Sequence, residues 1–475
     1  CDGITATAIM TEILRELGGS VTPLLANRFA GGYGVSHTAR ERIEKTGARV
    51  LVTCDCGSSD HETLALLQAA GLDIIVIDHH LVPDRPLPAL AFLNPHRPEC
   101  GFAYKGLASC GLALSIGAAL RSELGVNLDV KRWLDLVAIG TIADVAPLTG
   151  DNRALVRHGL QRIASGDRPG LRALLHSAKV ELGTVLGARD VAFKLAPRLN
   201  APGRLGAPDL TLDLLLAKDN ESAFKLAEQL EDLSTERKKA QAQMLDEAMA
   251  QIEREGYQQQ AAIVVSDAKW NPGIVGIVAG RLAELYNKPV VVCGVEGGSA
   301  RGSVRGPRGF RLHDAVSAVQ DVLVRFGGHQ AAAGLEVLPE KIADFRKRFV
   351  EECARAQAPA ADESASTVIA LDPRDELLAI VEDMDRLEPC GEGNPRPKIA
   401  IIAQVAQARA VKGGHLKFDL QLSSGRQVSC FRLGDGERAS SLIGVQVRAE
   451  GDIRRNNWPG GAPVELLAES LVAQA

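Results

Sequence analysis

The sequence predicts an α/β protein of several domains: two α/β units joined by a long helix, followed by a small OB-like β-barrel. Three patterns predict this. In the first third, apolar strands alternate with amphipathic helices: "RVLVTCDCG", "LALLQAAG", "LDIIVIDHH", then "GLALSIGAAL" and "RWLDLVAIGTIADV". That order is the mark of a parallel sheet, whose ligands gather at the carboxyl ends of the strands. The pattern restarts with "AAIVVSD", "GIVGIVAGRLAEL" and "KPVVVCG" over about 259–356. Beyond 357, "KIAIIAQVAQARAV", "HLKFDLQLSS", "RQVSCFRL" and "VQVRAEGDIRR" are short alternating strands divided by Gly, Ser and Asn, as in a barrel. Residues 210–258 are rich in Leu, Ala, Glu, Lys and Gln, with Leu226, Leu230, Leu233, Met244, Ala248 and Ile252 at helical spacing, which predicts one connecting helix. The expected units are therefore 1–209, 210–258, 259–356 and 357–475, with "AQAPAADESAS" as a linker.

Composition narrows the functional classes. A chain of 475 residues, 46% hydrophobic, can bury several cores, and no run of about 18 apolar residues could span a bilayer. No membrane role and a cytoplasmic location are expected. Nine scattered cysteines, odd in number and never spaced CxxC, argue against a disulfide framework or a structural zinc site. A net charge of −5 excludes a surface basic throughout, so a polyanion must meet a local basic patch.

Acids and histidines cluster in the first unit: Asp2 in "CDGIT", Asp55 in "TCDCG", the triplet Asp78, His79, His80, and Asp144 in "GTIADVAPL". Singly, an Asp before Gly at a strand end can be a turn or an N-cap. Together, carboxylates and imidazole without thiolate form a donor set for Mn²⁺ or Mg²⁺, and several bridging carboxylates suit a two-metal site that hydrolyses phosphate esters. Alternation along a strand would turn Cys54 and Cys56 to the face opposite Asp55, as packed thiols. It would likewise keep His79 and His80 from sharing one metal unless the strand has already turned.

"VIDHH", with "TCDCG", "GTIADVAPL" and "PRLNAPGRLG", resembles the DHH phosphoesterase superfamily; "GSARGSVR" and "FGGHQAAAG" resemble its DHHA1 domain. "NPGIVGIVAGRL", "GFRLHDAV" and "LEPCGEGNPRPK" narrow the likeness to the bacterial RecJ family across nearly the whole chain. The resemblance implies a single-stranded-DNA-specific 5′→3′ exonuclease releasing 5′ mononucleotides, acting in DNA repair and recombination. It implies metal ligation by Asp2, Asp55, His79 and Asp144, with Asp55 bridging two ions, and substrate phosphate contact by His80, so that His80, Asp55 and Asp144 are the expected catalytic residues. Asp2 matches the second aspartate of the family's Asp-x-Asp-Gly motif, the first lying before residue 1. The chain thus reads as an N-terminally truncated protein, expected to bind its metals weakly and to leave a position beside the "TCDCG" strand unfilled. Arg301, Ser303, Arg305 and His329 match positions that grip DNA or face the cleft. Asn200 and Arg204 match an inter-domain loop in which Pro202 is a departure, and Arg28 resembles a further phosphate contact. Single-stranded DNA is the implied partner, together with single-strand-binding protein and a RecQ-type helicase, for a monomeric enzyme.

The residues themselves agree in kind. "RGSVRGPRGFR" places Arg301, Arg305, Arg308 and Arg311 among glycines that let backbone amides approach an anion, or else forms a solvated basic loop. Lys412, His415, Lys417, Arg432, Arg454, Arg455 and Trp458 suggest a barrel that holds single strands mainly by charge, since aromatics make up only 4% of the chain. Asp2 could also cap a helix beginning near Thr5. Two other readings stand beside the exonuclease: a DHH-family oligoribonucleotide or cyclic-dinucleotide phosphodiesterase, and a catalytically inactive DNA-binding scaffold.

Overall fold

The computed structural model describes residues 1–27, 29, 34–296, 298–329, 332–356, 367–456 and 461–474. Arg28 and Trp458 lie outside the described residues, and of His329 only the backbone is described.

The first unit begins with helices α1 (Asp2–Glu16) and α2 (His37–Glu44). Strand β1 (Val50–Cys54), helix α3 (His61–Ala69), and strands β2 (Asp73–Ile77) and β3 (Ala91–Leu93) follow. The three strands form a parallel sheet in the order β1-β2-β3, with Cys54 opposite Ile77 and Ile77 opposite Leu93. This register sets the three carboxyl ends side by side, so Asp55, the Asp78–His80 triplet and Asn94 emerge at one edge. Among the described strands β1 pairs with β2 alone.

Seven helices complete the unit: α4 (Ser109–Leu124), α5 (Leu134–Ala143), α6 (Gly150–Ser165), α7 (Pro169–Ser177), α8 (Ala188–Asp190), α9 (Ala196–Arg204) and α10 (Asp209–Leu216). Helix α5 is buried almost all round, which fits the apolar "LDLVAIGTIA" and makes it the axis of this core. A buried polar knot ties the helices around it. Arg168 donates to Glu12 on α1, to Asp135 on α5 and to the Leu215 carbonyl on α10, while the Trp133 indole also donates to Glu12. Each charge is therefore paired and hydrogen-bonded, which burial requires.

The connecting helix differs from expectation. It is α11 (Asn220–Glu255), capped by the Asp219 carboxylate accepting from the Ser222 amide, and the leucines before it belong to the separate helix α10. The Asx cap favours a fresh helix start at 219 over a continuous one. Along α11, Ala223, Ala227 and Leu230 pack into the first core, while Met244, Ala248 and Ile252 pack under the second sheet. One rigid rod thus belongs to both units.

The second unit holds β4 (Ile263–Asp267), α12 (Val275–Tyr286), β5 (Val290–Glu296), β6 (Ser299–Arg305) and α13 (Leu312–Ser317), then β7 (Arg325–His329), β8 (Ala332–Val337) and α14 (Ile342–Arg355). Its sheet runs β4-β5-β6-β8-β7, parallel between β4 and β5 and antiparallel elsewhere. The glycine-rich basic stretch is therefore divided: residues 299–305 are the central strand, and 306–311 form the connection that follows it. Its backbone is committed to two ladders, so Gly302 serves packing rather than anion approach. A Cβ there would lie 2.6 Å from Cys293 Sγ and 2.9 Å from Leu335 Cδ1.

The third unit adds β9 (Val368–Ala370), α15 (Leu377–Arg386), β10 (Lys398–Val411), β11 (His415–Gln421) and β12 (Gln427–Asp435), then α16 (Ala439–Leu442), β13 (Gln446–Arg455) and β14 (Val464–Ala473). The order β11-β12-β14-β13-β10, closed by a β10–β11 pairing, makes a five-stranded barrel, with β9 added in parallel outside β10. Inward residues such as Phe418, Leu420, Val447 and Leu466 alternate with exposed ones. Among the described residues no helix is long and apolar enough to cross a membrane.

Gly302→Ala is expected to destabilise the protein by about 1–3 kcal/mol through overpacking, read by denaturant unfolding.

Candidate active site

Strand β1 stops at Cys54, and Asp55 turns out of it with φ of 65° while its amide still donates to the Ile77 carbonyl at 3.0 Å. Alternation ends there. Cys54 accordingly packs into the core of the helices and Cys56 into the cluster around α3, rather than both on one face. Their thiols are buried and pushed up, Cys54 to a level where no thiolate forms near neutrality. The reading as packed thiols holds; the shared face does not.

Asp2 is the first residue of α1 and caps a different helix from the one expected. Its carboxylate accepts from the amides of Ser109 (2.7 Å) and Cys110 (2.8 Å), the free donors in the first turn of α4. The adjacent Gly3 lets α1 approach β1, since a Cβ on it would fall 2.9 Å from Asp55 Oδ2. Asp144 caps the carboxyl end of α5, where helix carbonyls already disfavour an anion. Burial, then the charge of Asp2, push its carboxyl up to about 6. The residue after it, Val145, has φ of 57°, a strained conformation for a β-branched side chain.

Strand β2 ends at Ile77, so the strand has turned before the histidines and both can face one centre. Asp78, 1% exposed, is the pivot of that turn rather than part of the cluster. It accepts from the amides of Ser58 (3.1 Å) and His79 (2.8 Å) and from His80 Nδ1 (2.6 Å). Burial alone would raise its carboxyl, but the His80 and Ser58 hydrogen bonds outweigh it and hold it at about 2. The bond raises His80 in turn, favouring its imidazolium form.

Three carboxylates from three elements converge on one nitrogen. His79 Nε2 lies 3.3 Å from Asp55 Oδ1, 3.5 Å from Asp144 Oδ2 and 3.8 Å from Asp2 Oδ2. This nitrogen is buried, with Asp55 Oδ1 its nearest carboxylate oxygen. Burial would lower His79, but the surrounding carboxylates raise it to about 9, and burial together with Asp55 raises Asp2. Such crowding of anions calls for positive charge. Among the described residues the metal-capable groups are two overlapping triads, Asp55–His79–His80 and Asp2–His79–Asp144, each with ligand atoms within 4.8 Å of one another. Oxygen with imidazole nitrogen suits Mn²⁺ or Mg²⁺, so the residues fit the expected ions. The residue common to both triads is His79, whereas Asp55 belongs to one.

Two supporting residues, Asn94 and Ser58, escaped sequence reasoning. Asn94, at the end of β3, donates to the His80 carbonyl (2.8 Å) and to Ser58 Oγ (3.3 Å), bracing the triplet. The signal was "FLNP", a third strand end too short to stand out.

A second group of predicted residues lies on β6. Arg301, Ser303 and Arg305 alternate onto one face, and Arg305 Nη1 donates to Ser303 Oγ at 2.8 Å. The first turn of α12 covers them closely: a Cβ on Gly276 would lie 3.1 Å from Ser303 Oγ. Asn200 and Arg204 belong to helix α9, not to a loop, with Pro202 inside it. Arg204 Nη1 reaches across the seam to the Gly273 carbonyl at 3.0 Å. Of the outer arginines, Arg308 is 79% exposed, 3.9 Å from Glu392, and Arg311 pairs with Asp314. In the barrel the expected basic face is largely neutralised within the domain: Lys417 and Arg454 pair with Glu465, Arg432 with Asp435, and Arg455 with Glu382. His415 packs edge-on against Phe431.

A parallel sheet whose strand ends carry this acid–histidine cluster, followed by a second sheet with arginines on its central strand, defines a DHH-type phosphoesterase. The chain matches the DHH family, N-terminal domain, over residues 1–141, the DHHA1 domain over 258–355 and the RecJ OB domain over 369–470. It is 34% identical to the single-stranded-DNA-specific exonuclease RecJ of Dickeya dadantii (strain 3937), covering 99% of this chain and 85% of that protein. With the Bacillus subtilis (strain 168) protein of the same name it shares 35% identity over 98% of its length, but spans only 59% of that relative. Among solved structures, RecJ in complex with Mn²⁺ from Thermus thermophilus superposes with a TM-score of 0.84 at 32% identity, covering 99% of this chain and 67% of that one. The chain belongs to the RecJ family.

In the absence of metal, stability is expected to fall as pH rises from about 6.5 to 9. His79, raised to about 9, contributes fully below its ordinary value and loses that contribution through about 9; Asp144, raised to about 6, loses its own contribution in the same direction but below this window, as pH rises through about 6. Melting curves at pH 6.5 and 8.5, with chelator or with Mg²⁺, should show the decline with chelator and its attenuation by the ion. Asp144→Asn should stabilise the metal-free protein at pH 8 by on the order of 1 kcal/mol while weakening ion binding.

Proposed function

We propose that this chain is a metal-dependent single-stranded-DNA-specific exonuclease that hydrolyses phosphodiester bonds from the 5′ end to release 5′ mononucleotides. The observation that carries the reading is the convergence of Asp2, Asp55 and Asp144 on His79, in a chain of the RecJ family. Asp2, Asp55, His79 and Asp144 would hold Mn²⁺ or Mg²⁺. Loaded with such ions, the site gains the Lewis acidity that makes water a nucleophile near neutral pH and offsets charge on the phosphodiester.

The chain's own groups supply the rest. The Asp78 bond to Nδ1 orients His80 and raises it, so that an Nε2–H would donate to a phosphate oxygen. Arg301, Ser303 and Arg305 offer fork-shaped and hydroxyl donors for the strand's phosphates, rigidly mounted on a central strand. Arg204, at the seam between the two sheets, and Asn200 on the same helix line the expected path, with Arg28 and His329 as further phosphate contacts. The barrel, covering most of 357–475, extends the single-strand track, and the catalytic units fall near 1–209 and 259–356. A monomer working in the cytoplasm, in DNA repair and recombination, beside single-strand-binding protein and a RecQ-type helicase, completes the reading. A small-phosphodiester hydrolase is disfavoured by the barrel, and an inactive scaffold by the intact acid–histidine cluster.

End-labelled DNA tests this. With Mn²⁺, single strands should be shortened from the 5′ end and duplex spared; digestion from the 3′ end, or equal digestion of duplex, would overturn it. His80→Ala should lower kcat about 100-fold or more, whereas Arg305→Ala should weaken binding to all sequences alike and reduce the salt slope by about 1.

A further inference from the structure

The motif "LEPCGEGNP" at the start of the third unit has no part in the chemistry above, yet it touches the loop that carries Asp144. That loop, residues 144–149, needs holding. A β-branched residue in left-handed backbone is unfavourable by roughly 1–2 kcal/mol, and Val145 keeps φ of 57° only because its surroundings over-determine it. From within the first unit, Tyr104 Oη donates to the carbonyls of Thr149 (2.8 Å) and Pro147 (3.2 Å), and Asn152 Nδ2 donates to Pro147 (2.9 Å). Helix α5 holds the near end, through the amides of Val145 and Ala146 to the carbonyls of Ile142 and Thr141, and the far end is held from the barrel side: the Leu148 amide donates to the Glu392 carbonyl at 2.7 Å, and Gly391 lies so close that a Cβ would stand 2.8 Å from Leu148 Cδ1.

The short segment that makes these contacts is itself fastened. Gly391 and Asn394 exchange backbone hydrogen bonds, and Asn394 Nδ2 donates to the Pro389 carbonyl, which closes a compact turn. Glu388 anchors that turn to the first unit. Its Oε2 accepts from the Ala188 amide (3.0 Å) and from the Cys390 amide (2.9 Å), while Oε1 accepts from Arg396 (3.2 Å). The side chain is 15% exposed, so these bonds act in a site of low solvent screening.

We propose that Glu388 is a positioning residue for hydrolysis: by pinning the 388–394 turn it fixes the Asp144 loop, and so sets the ion affinity and turnover of the first unit from the third. The barrel is then a structural part of the active site, besides any hold it has on DNA. The proposal rests on the metal-site reading of Asp144. Outer groups that orient ligands in this way typically change metal affinity by about 10–100-fold.

The full chain and its Glu388→Ala, Glu388→Gln and Gly391→Ala variants test it. Mn²⁺ binding is read by the loss of the free-ion paramagnetic resonance signal, and turnover with a p-nitrophenyl ester of thymidine 5′-monophosphate, which presents a single phosphate and no strand for the barrel to hold. Glu388→Ala and Gly391→Ala should each weaken Mn²⁺ binding about 10-fold and lower kcat on the ester with little change in KM. Glu388→Gln, whose amide oxygen can still accept from both backbone amides, should restore most of the loss. Should Glu388→Ala fail to fold, Gly391→Ala, which leaves every bond of Glu388 in place, carries the test. Folded variants with unchanged Mn²⁺ affinity and kcat would overturn the positioning role. A parent chain that binds no Mn²⁺ would instead overturn the metal-site reading beneath it.

Discussion

Three carboxylates within 3.8 Å of one imidazole nitrogen form an arrangement that a folded chain holds only under constraint. Burial and the neighbouring anions raise Asp2 and Asp144, and the crowding is tolerated because each carboxylate is fixed by a different element: Asp2 by the amides of α4, Asp55 by the end of β1, Asp144 by the end of α5. The rest of the first unit is the apparatus that keeps those three ends together. Its knot of Arg168, Glu12 and Asp135 lies on the same helices, α1 and α5, that deliver Asp2 and Asp144. Local instability at the cluster is thus offset by dense packing directly behind it.

Much of this was legible in the sequence, for physical reasons. A parallel sheet exposes itself as apolar runs ending in polar residues, so Asp55 and the Asp78–His80 triplet announced both the strands and the site. The triads around His79 follow from that placement. What the sequence hid were backbone events of one or two residues. Nothing in "TCDCG" distinguishes a strand that continues through Asp55 from one that turns there with positive φ, and that single dihedral reversed the expectation for Cys54 and Cys56. The same holds for the triplet, where the strand ends at Ile77 and frees both histidines. The helix broken at 217–219 was hidden because helix-favouring, leucine-rich composition continues from α10 into α11, and the Asp219 cap marks the boundary.

The basic stretch shows the opposite error. By composition, glycine and arginine in "GSARGSVRGPRGF" suggest backbone amides open to an anion, or else a solvated basic loop, whereas cross-strand partners decide the matter: Ala300 and Val304 fill the core on one face while Arg301, Ser303 and Arg305 occupy the other. A strand with neighbours on both sides holds its side chains more firmly than a loop could. Side chains mounted there keep a fixed spacing along one face of the sheet. The barrel teaches a related lesson, since its cations were visible in sequence but their acidic partners, far apart along the chain, were not.

The carboxylate of Asp2 serves two masters. One pair of oxygens closes the start of α4 and also faces His79, so position 2 links the assembly of the helical core to the assembly of the reactive centre. Whatever shifts the first turn of α4 therefore also shifts one carboxylate of the cluster around His79. Evolution cannot tune the two traits separately at this residue: a substitution that alters the cluster at position 2 also removes the cap on α4.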